Sequence, residues 1–564
     1  MHILRERLGL WLFDRGGLLG LVAVVAYAVL AAPYIVDGDN AEFATLAHTG
    51  GIAHPSGYPL YVLWLRAWRW LPGEPAHAAA IATAILGAAA VVALMNAARA
   101  WGASTGAATL AAAIVAGSPI VLRVHTEAEV FAMNDLACAL VLLLAARRGP
   151  VRGAWRGLLL GLVAGCGLAD HLTCVLVAPV GILGIVRAAK EQRIAIAFAI
   201  VGLLAGLSAY AYAFVAPDSA MSWGGVHDLD SLIGLVTRRD YGGATAFAPN
   251  ALPTSAFEQV FELALSIGRA WLWLPALGAL AMLGVRCVKP ADGETRVAWA
   301  MLALAWLLAG PILASRFDVA PDLIGISVCR RFHVLPALLL AIPAALAFDA
   351  IPIRTPRSAR VMAAALALPA SLALSLPYLG HVHTAAVERY AQNVLEELPD
   401  GAVLVVGEDY IYAGAQYVQA ALGERPDVIV VDEGLLGMPW YRDRLAARGL
   451  EMPQGKPSGG WVVDRAARAG KRVFVDLKQK DVLAKLPTYP WGEVLAVGAP
   501  PPLDQLAQAN HELYDAFRLD YMPPGADDEY ATVIARHYAA MRTLLAGILD
   551  AAGRHDDAAS FSKQ

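Results

Sequence analysis

The sequence predicts a polytopic α-helical membrane protein of about 11 transmembrane helices carrying a C-terminal extracytoplasmic α/β domain. Three observations lead there. Of 564 residues 58% are hydrophobic and only 16% charged, and the mean hydropathy is +0.53, far from a soluble composition. Apolar runs recur as far as residue 378, and beyond about Gly380 the chain turns polar. The net charge of -4 gives no reason to expect a nucleic-acid partner. The five cysteines are scattered, with Cys138, Cys166 and Cys174 inside apolar runs and Cys287 and Cys329 near helix ends, so no disulfide framework or thiol metal site is spelled out.

The opening "MHILRERLGLWLFDRGGLLGLVAVVAYAVLAAPYIV" has a basic start. Its apolar run is as long as a spanning helix needs, and no convincing cleavage site precedes Asp37, so a retained first transmembrane helix is expected. Further runs lie at 78–97, 105–122, 128–146, 156–169, 172–186, 194–215, 264–285, 297–314, 332–349 and 360–378. The stretch from Leu158 to Val186 fixes the parity. Its flanks "ARRGPVRGAWR" and "RAAKEQR" are both basic, so both ends belong in the cytoplasm and the stretch reads as a hairpin broken at Ala169–His171. Its arms are short for full spans, which places the tip below the outer surface and under protein cover.

With that parity the Lys/Arg-rich connections at 147–156, 187–193, 286–296 and 354–360 face the cytoplasm. Five unusual segments face outward: 38–61, "RVHTEAEV" at 123–130, the Asp170–His171 tip, 222–243, and "CRRF" at 329–332. The polar tail is outside as well. The domains are thus 1–379, transmembrane, and 380–564. In the tail "AVLVVGEDY", "DVIVVDEG" and "RVFVDL" read as buried strands with a helix near 413–422, followed by helices near 503–519 and 527–552. "VVGEDYIYAGAQY" lacks nucleotide-binding glycine spacing.

The stretch "GDNAEFATLAHTGGIAHPSGYPLY" (38–61) concentrates the chemistry. Asp39 and Glu42 have the D-x-x-E spacing of a capping box. Carboxylates at the outer end of a bundle, followed by a Gly/Pro turn with His54, are also what a general base facing a membrane cavity requires. Both readings stand together. The following "YPLYVLWLRAWRWLPG" interleaves Tyr58, Tyr61, Trp64, Trp68 and Trp70 with Arg66 and Arg69. It reads as a helix in the headgroup plane, anchoring the protein or bordering a phospholipid-like substrate.

Asp170 and His171 sit between apolar arms, where a charge costs about 2.5–3.5 kcal/mol, and need a partner or a wet cavity. Arg330, Arg331 and His333, with Arg238, Arg239, Asp240 and Tyr241, place arginines on the outer face, against the positive-inside bias. They suit an anion such as a lipid phosphate or pyrophosphate. The plainer reading pairs them with Asp228, Asp230 or Asp318. Glu127 and Glu129 flank the start of the fourth helix, and Glu129 alone could serve the helix dipole.

These stretches resemble a family that includes a vertebrate transmembrane protein O-mannosyltransferase and many bacterial membrane proteins. The similarity rests on G-D-x-x-E with H-P-x-G-Y-P-L-Y, and continues through "HTEAEVFAMNDL" (125–136), "GLADHLTCVLVAP" (167–179), "MSWGG", "RRDYGG" and the tail segment 398–432. Ser56 stands where the family commonly has Pro, and Ala169–Asp170 precede His171 where it tends to have Asn or His.

The resemblance implies a GT-C type glycosyltransferase that takes a sugar from a polyprenyl-phosphate donor on the extracytoplasmic side. It implies Asp39 as the essential acid, with Glu42 the second matching carboxylate. Inverting transfer needs a base for the acceptor hydroxyl and cations for the departing phosphate. Asp39 is the expected base. Arg330, Arg331 and Arg238 form the expected phosphate clamp, and His171 and His54 orient. Tyr58, Arg123, Glu127, Glu129, Asp170, Trp223 and Tyr241 complete the expected binding set. No cofactor and no metal are expected, although Asp39, Glu42 and His54 could meet in space. The expected partners are the lipid-linked sugar, membrane lipids, and an exported protein or glycolipid acceptor, at the bacterial inner membrane with the N-terminus cytoplasmic. The alternatives are a lipid-linked sugar transporter or flippase, which would want broken helices in matching halves, and a non-catalytic protein that binds a lipid-linked sugar.

Overall fold

A computed structural model describes residues 2–241, 255–290, 293–317, 319, 322–351, 357–453, 455, 457–521 and 529–562, with backbone only for 2–15, 357–365 and 562. Asp318, the Gly242–Gly243 pair and the predicted start of a helix at residue 527 lie outside the described residues. Helices α1 (His2–Leu30), α2 (Gly38–Thr49), α3 (Pro59–Trp68), α4 (Pro75–Ala100), α5 (Thr105–Ala116), α6 (Pro119–Thr126), α7 (Phe131–Ala145) and α8 (Gly153–Asp170) open the chain. They are followed by α9 (Ala178–Glu191), α10 (Ala195–Leu207), α11 (Leu229–Val236), α12 (Ala256–Ala270), α13 (Leu274–Val288), α14 (Arg296–Leu307), α15 (Leu323–Arg331), α16 (Val334–Leu339), α17 (Ala341–Ala350) and α18 (Arg357–Val382).

By length and composition three helical stretches can cross a membrane, Pro75–Ala100, Leu172–Glu191 and Ala195–Phe214, and bent pairs raise this to six. The protein is an integral membrane protein. The apolar run 264–285 is not one straight helix: α12 and α13 are bent by 108° at the break between them. Leu272 and Trp273 there take left-handed backbone angles (φ 54 and 63) ahead of Pro275, a conformation no straight helix contains. Likewise 105–122 divides into α5 and α6, bent by 72° where Pro119 stands at the first position of α6.

The hairpin reading of 158–186 holds. The Gly153 N–H donates to Glu191 Oε2 (2.6 Å) and Ala154 N–H to Gln192 Oε1 (2.9 Å), so the two arms meet at the ends away from the turn. The turn lies at His171, which is nearly buried. Small residues let α8 and α10 touch backbone to backbone: a Cβ on Gly161 would stand 1.9 Å from the Ala199 carbonyl oxygen, and one on Gly157 2.2 Å from that of Ala195.

The tail holds α19 (Ala386–Glu396), β1 (Val403–Val406), α20 (Asp409–Ala420), β2 (Ile429–Asp432), α21 (Pro439–Ala447), α22 (Gly459–Arg468), β3 (Val473–Val475), α23 (Lys480–Leu483), β4 (Thr488–Trp491), β5 (Val494–Val497), α24 (Leu503–Ala516), α25 (Glu529–Ala551) and α26 (His555–Ser562). The sheet order is β2-β1-β3-β5-β4. The three predicted strands form its parallel part, β5 pairs antiparallel with β3, and β4 pairs antiparallel with β5 at the edge. The edge strand "TYPW" escapes the sequence reading because its proline argues against a strand. The tail core is continuous with the first segments of the chain: Ile35, Ala41, Ala44 and Ala76 pack within it. Two apolar faces meet there, that of α20 and the rear of α2.

Candidate active site

The site forms where α2, the 50–58 turn, the end of α6, α15 and the segments flanking α11 converge. The cap of α2 is not Asp39. Asp37 is the N-cap (φ -157), its Oδ1 accepting from the Asn40 N–H at 2.7 Å, and Asn40 Oδ1 accepts from the Val36 N–H. Glu42 does not reach back either; it accepts from the backbone N–H of His54 (2.8 Å) and contacts His54 Nδ1. The capping-box expectation for Asp39 and Glu42 is therefore corrected: the cap lies two residues earlier, because "DGDN" offers two acids and only the first has the extended backbone a cap needs. Asp39 is left with its carboxylate unused by the helix.

Around Asp39 stands a set of buried charges. Arg331 Nη1 donates to Asp39 Oδ2 (2.7 Å) and to Glu129 Oε1 (2.5 Å) and lies 4.0 Å from Asp37. Arg123 pairs with Glu127 (3.3 Å), Asp37 (3.7 Å) and Glu529. Among these carboxylates Asp39 is the open one, with 41% of its side chain exposed against 2% for Asp37, 0% for Glu127, 1% for Glu129 and 5% for Glu42. Burial pulls the Asp39 pKa upward, but Arg331 and His54 outweigh it and hold the acid below the usual carboxylate value. Burial lifts Glu129 to about 8 and Asp37 to about 6, against the pull of Arg331. Burial alone would lower His54; the Glu42 carboxylate overrides it and raises the imidazole to about 9. A protonated His54 therefore stands beside ionised Asp39.

His54 Nε2 lies 3.2 Å from the Tyr58 hydroxyl, and the Tyr58 ring stacks on His171 at 5.8 Å. His171 is wedged against Phe131 and Phe332, its Nδ1 2.6 Å from the Thr173 hydroxyl. On the other side Arg238, in the left-handed conformation (φ 57), contributes to the potential at Asp39 and His54. Its Nε is buried with no hydrogen-bond acceptor among the described residues. Trp223 stacks on Tyr241 (5.5 Å), donates from Nε1 to Asp240, and is tied to the 50–54 segment by its N–H to the Ile52 carbonyl (2.7 Å).

The structure thus assembles Asp39, Glu42, His54, Tyr58, His171, Arg238, Tyr241 and Arg331. Arg123, Glu127 and Glu129 form a buried layer beneath them. Arg330 sits to one side, 3.6 Å from Glu262 and 3.9 Å from Glu529. Asp170 turns the other way: its electrostatic neighbours are Cys174 and Asp135, and both its oxygens are buried without a hydrogen bond among the described residues. Of the residues offered as plain ion-pair partners, Asp230 takes Arg239 (2.8 Å) rather than Arg238. Asp39, Glu42 and His54 offer ligand atoms within 4.8 Å of one another, a spacing that could hold a metal ion.

Sequence reasoning missed Asp37, Glu529 and His383, the last 3.4 Å from Glu127. The extra acid ahead of Gly38 was a visible signal for Asp37. Nothing local marks Glu529, 406 residues downstream of its partner Arg123.

Residues 39–195 match the family described as the protein O-mannosyl-transferase TMEM260 N-terminal domain. The chain is 24% identical over 477 residues to the mouse protein O-mannosyl-transferase TMEM260, covering 78% of this chain and 66% of that protein. It is 22% identical over 479 residues to the Dictyostelium discoideum protein O-mannosyl-transferase tmem260, covering 75% of this chain and 58% of that protein. The chain therefore spans less than two thirds of the length of these relatives. Its fold is similar to the crystal structure of ArnT from Cupriavidus metallidurans bound to undecaprenyl phosphate, with a TM-score of 0.52 at 13% identity over 85% of this chain and 98% of that one. Residues 39–195 thus match the TMEM260 N-terminal-domain family, the chain is similar to the protein O-mannosyl-transferases of mouse and Dictyostelium, and its fold is like that of ArnT.

Proposed function

We propose that the protein is a GT-C glycosyltransferase that moves a sugar, mannose on the names of its relatives, from a polyprenyl-phosphate donor to a hydroxyl acceptor with inversion, Asp39 acting as base. The observation that carries the reading is the state of Asp39: free of capping duty, ionised, and the exposed member of an otherwise buried carboxylate cluster. In the reaction the acceptor O–H gives its proton to Asp39 while the acceptor oxygen bonds to the anomeric carbon. The bond from that carbon to the phosphate oxygen breaks on the opposite face, and the lipid phosphate leaves as an anion. Arg238 suits that anion, since its Nε has an unused proton. Arg331 already serves Asp39 and Glu129, so its part is to fix the base, with any phosphate contact shared. Protonated His54, locked on Glu42, adds positive potential, and the Tyr58–His171 stack forms an apolar wall that suits a sugar ring.

The relatives' names favour a Ser or Thr of an exported protein as acceptor, with a glycolipid as the other outcome, and the undecaprenyl phosphate held by ArnT favours a polyprenyl carrier. The reaction is placed on the extracytoplasmic face of the bacterial inner membrane, the side of the tail domain. The test is transfer of labelled mannose from polyprenyl-phosphate-mannose into protein and lipid fractions, in membranes holding wild type or Asp39→Asn at equal levels. Incorporation by wild type that falls about 10²–10⁴-fold in the variant supports the base; equal incorporation by both removes Asp39 from that role. Binding of the donor without turnover by wild type would favour the non-catalytic alternative.

A further inference from the structure

The tail domain reaches the catalytic cluster through one buried side chain. Glu529 opens α25 with almost no exposure. It accepts from Arg123 Nη1 and from the Ser327 hydroxyl (2.5 Å) and faces Arg330 at 3.9 Å. Arg123 in turn lies 3.7 Å from Asp37, the cap of α2, and Asp37 lies 4.0 Å from Arg331, which holds Asp39 at 2.7 Å. An unbroken run of charge contacts therefore leads from the first residue of a tail helix to the proposed base. The rear of α2 is packed on the same domain: Ala41 and Ala44 lie in the tail core, and Gly38 abuts the Asp409 backbone.

We infer that Glu529 is a positioning residue for the transfer site, so that docking of the tail domain sets the placement of Asp39. Asp37, Glu127 and Glu529 share the one Arg123 guanidinium, at Nη2, Nε and Nη1 respectively. While Glu529 takes Nη1, Asp37 is left to cap α2 and to steady Arg331. Remove the Glu529 charge and Arg123 swings toward Asp37, drawing the cap from Asn40 and the N-terminus of α2 out of register with Arg331. A displacement of about 1 Å at a reacting group is enough to cost about 10²-fold in rate. The tail is on this account a working half of the enzyme.

This inference rests on the transferase reading for its kinetic part, so the test carries a readout that needs no activity. The full-length protein and Glu529→Gln are purified in detergent, and amide hydrogen exchange is followed for peptides covering 38–49 and, as internal reference, 403–420. The expected result is exchange at least about 10-fold faster at the start of α2 with the 403–420 peptide unchanged. In the mannose-transfer assay kcat falls about 10- to 100-fold while KM for the donor stays within about twofold. Unchanged exchange in α2 overturns the inference, and so does faster exchange throughout the tail, which would make Glu529 a folding residue only. If wild type shows no transfer, the exchange result still decides the positional claim, and the transferase reading fails separately. Should Glu529→Gln not fold, Glu529→Asp, which keeps the charge and shortens the reach, is measured instead, with the same local pattern expected and a uniform increase again overturning the inference.

Discussion

Arg331→Gln probes the charge arrangement most directly. The guanidinium serves Glu129 at 2.5 Å, Asp39 at 2.7 Å and Asp37 at 4.0 Å. Breaking a buried pair by removing one partner costs about 3–5 kcal/mol, because the charge left behind is unpaired. Two features place this case at the low end. Asp39 is open enough to be solvated, and burial has already brought Glu129 to about 8, so at neutral pH it takes up a proton readily. The expected loss is about 3 kcal/mol, roughly a hundredfold in the folding equilibrium. Adding Glu129→Gln to Arg331→Gln removes the worst-buried orphan and should return about 1–2 kcal/mol, a coupling typical of residues in one network. The pH dependence has a definite sign. Carboxyls whose folded pKa lies above the unfolded value of about 4.3 bind protons better when folded, so the penalty shrinks as pH falls from 8 toward 5. Reversible unfolding in mixed dodecyl maltoside and SDS micelles, followed by near-UV circular dichroism, measures wild type, Arg331→Gln, Glu129→Gln and the double variant. An Arg331→Gln protein within about 0.5 kcal/mol of wild type, or a double variant whose losses simply add, would refute the network. Transfer activity should stay lost in the double variant, since Asp39 has no anchor in either.

Three other outcomes follow from the same geometry. The His54–Glu42 pair is fully stabilising below the unfolded histidine pKa of about 6.5 and is lost as pH rises through the folded value of about 9; the gap in melting temperature between wild type and His54→Gln should therefore narrow from pH 6 to pH 10, and a constant gap would contradict a protonated His54. Gly161→Ala places a Cβ 1.9 Å from the Ala199 carbonyl oxygen, whereas Gly284 has open space around it; the first should lose about 3 kcal/mol or fail to accumulate and Gly284→Ala should not, by thermal unfolding in detergent. A chelator should leave transfer unchanged, because one Asp39 oxygen is held by Arg331 and the Glu42 carboxylate is engaged with His54; loss of activity restored by manganese would assign Asp39, Glu42 and His54 to a metal.

Much of the architecture was legible because a bilayer allows few solutions. A backbone in hydrocarbon must satisfy its own hydrogen bonds, so apolar runs of sufficient length become helices, and the break at His171 shows as polar residues inside such a run. The interruptions at Trp273 and Pro119 were not legible, since composition records apolarity and not direction. In the tail the strand-rich "VLVV" and "IVVD" announced a sheet, whereas the short antiparallel strands β4 and β5 gain their identity only from the neighbours they pair with.

The 38–61 stretch shows the same division. The sequence alone determined that Asp39, Glu42 and His54 lie on one short polar segment beside the first membrane helix, because i to i+3 spacing on a helix and a nearby turn are local properties. Which acid caps and which remains free was decided by backbone angles at Asp37, and whether Asp39 is ionised was decided by Arg331, almost 300 residues away in the chain. Glu529 is further still from Arg123. Electrostatic energy depends on distance in space and on burial, neither of which the order of residues expresses, so the roles of these charges exist only once the tail has closed against the bundle.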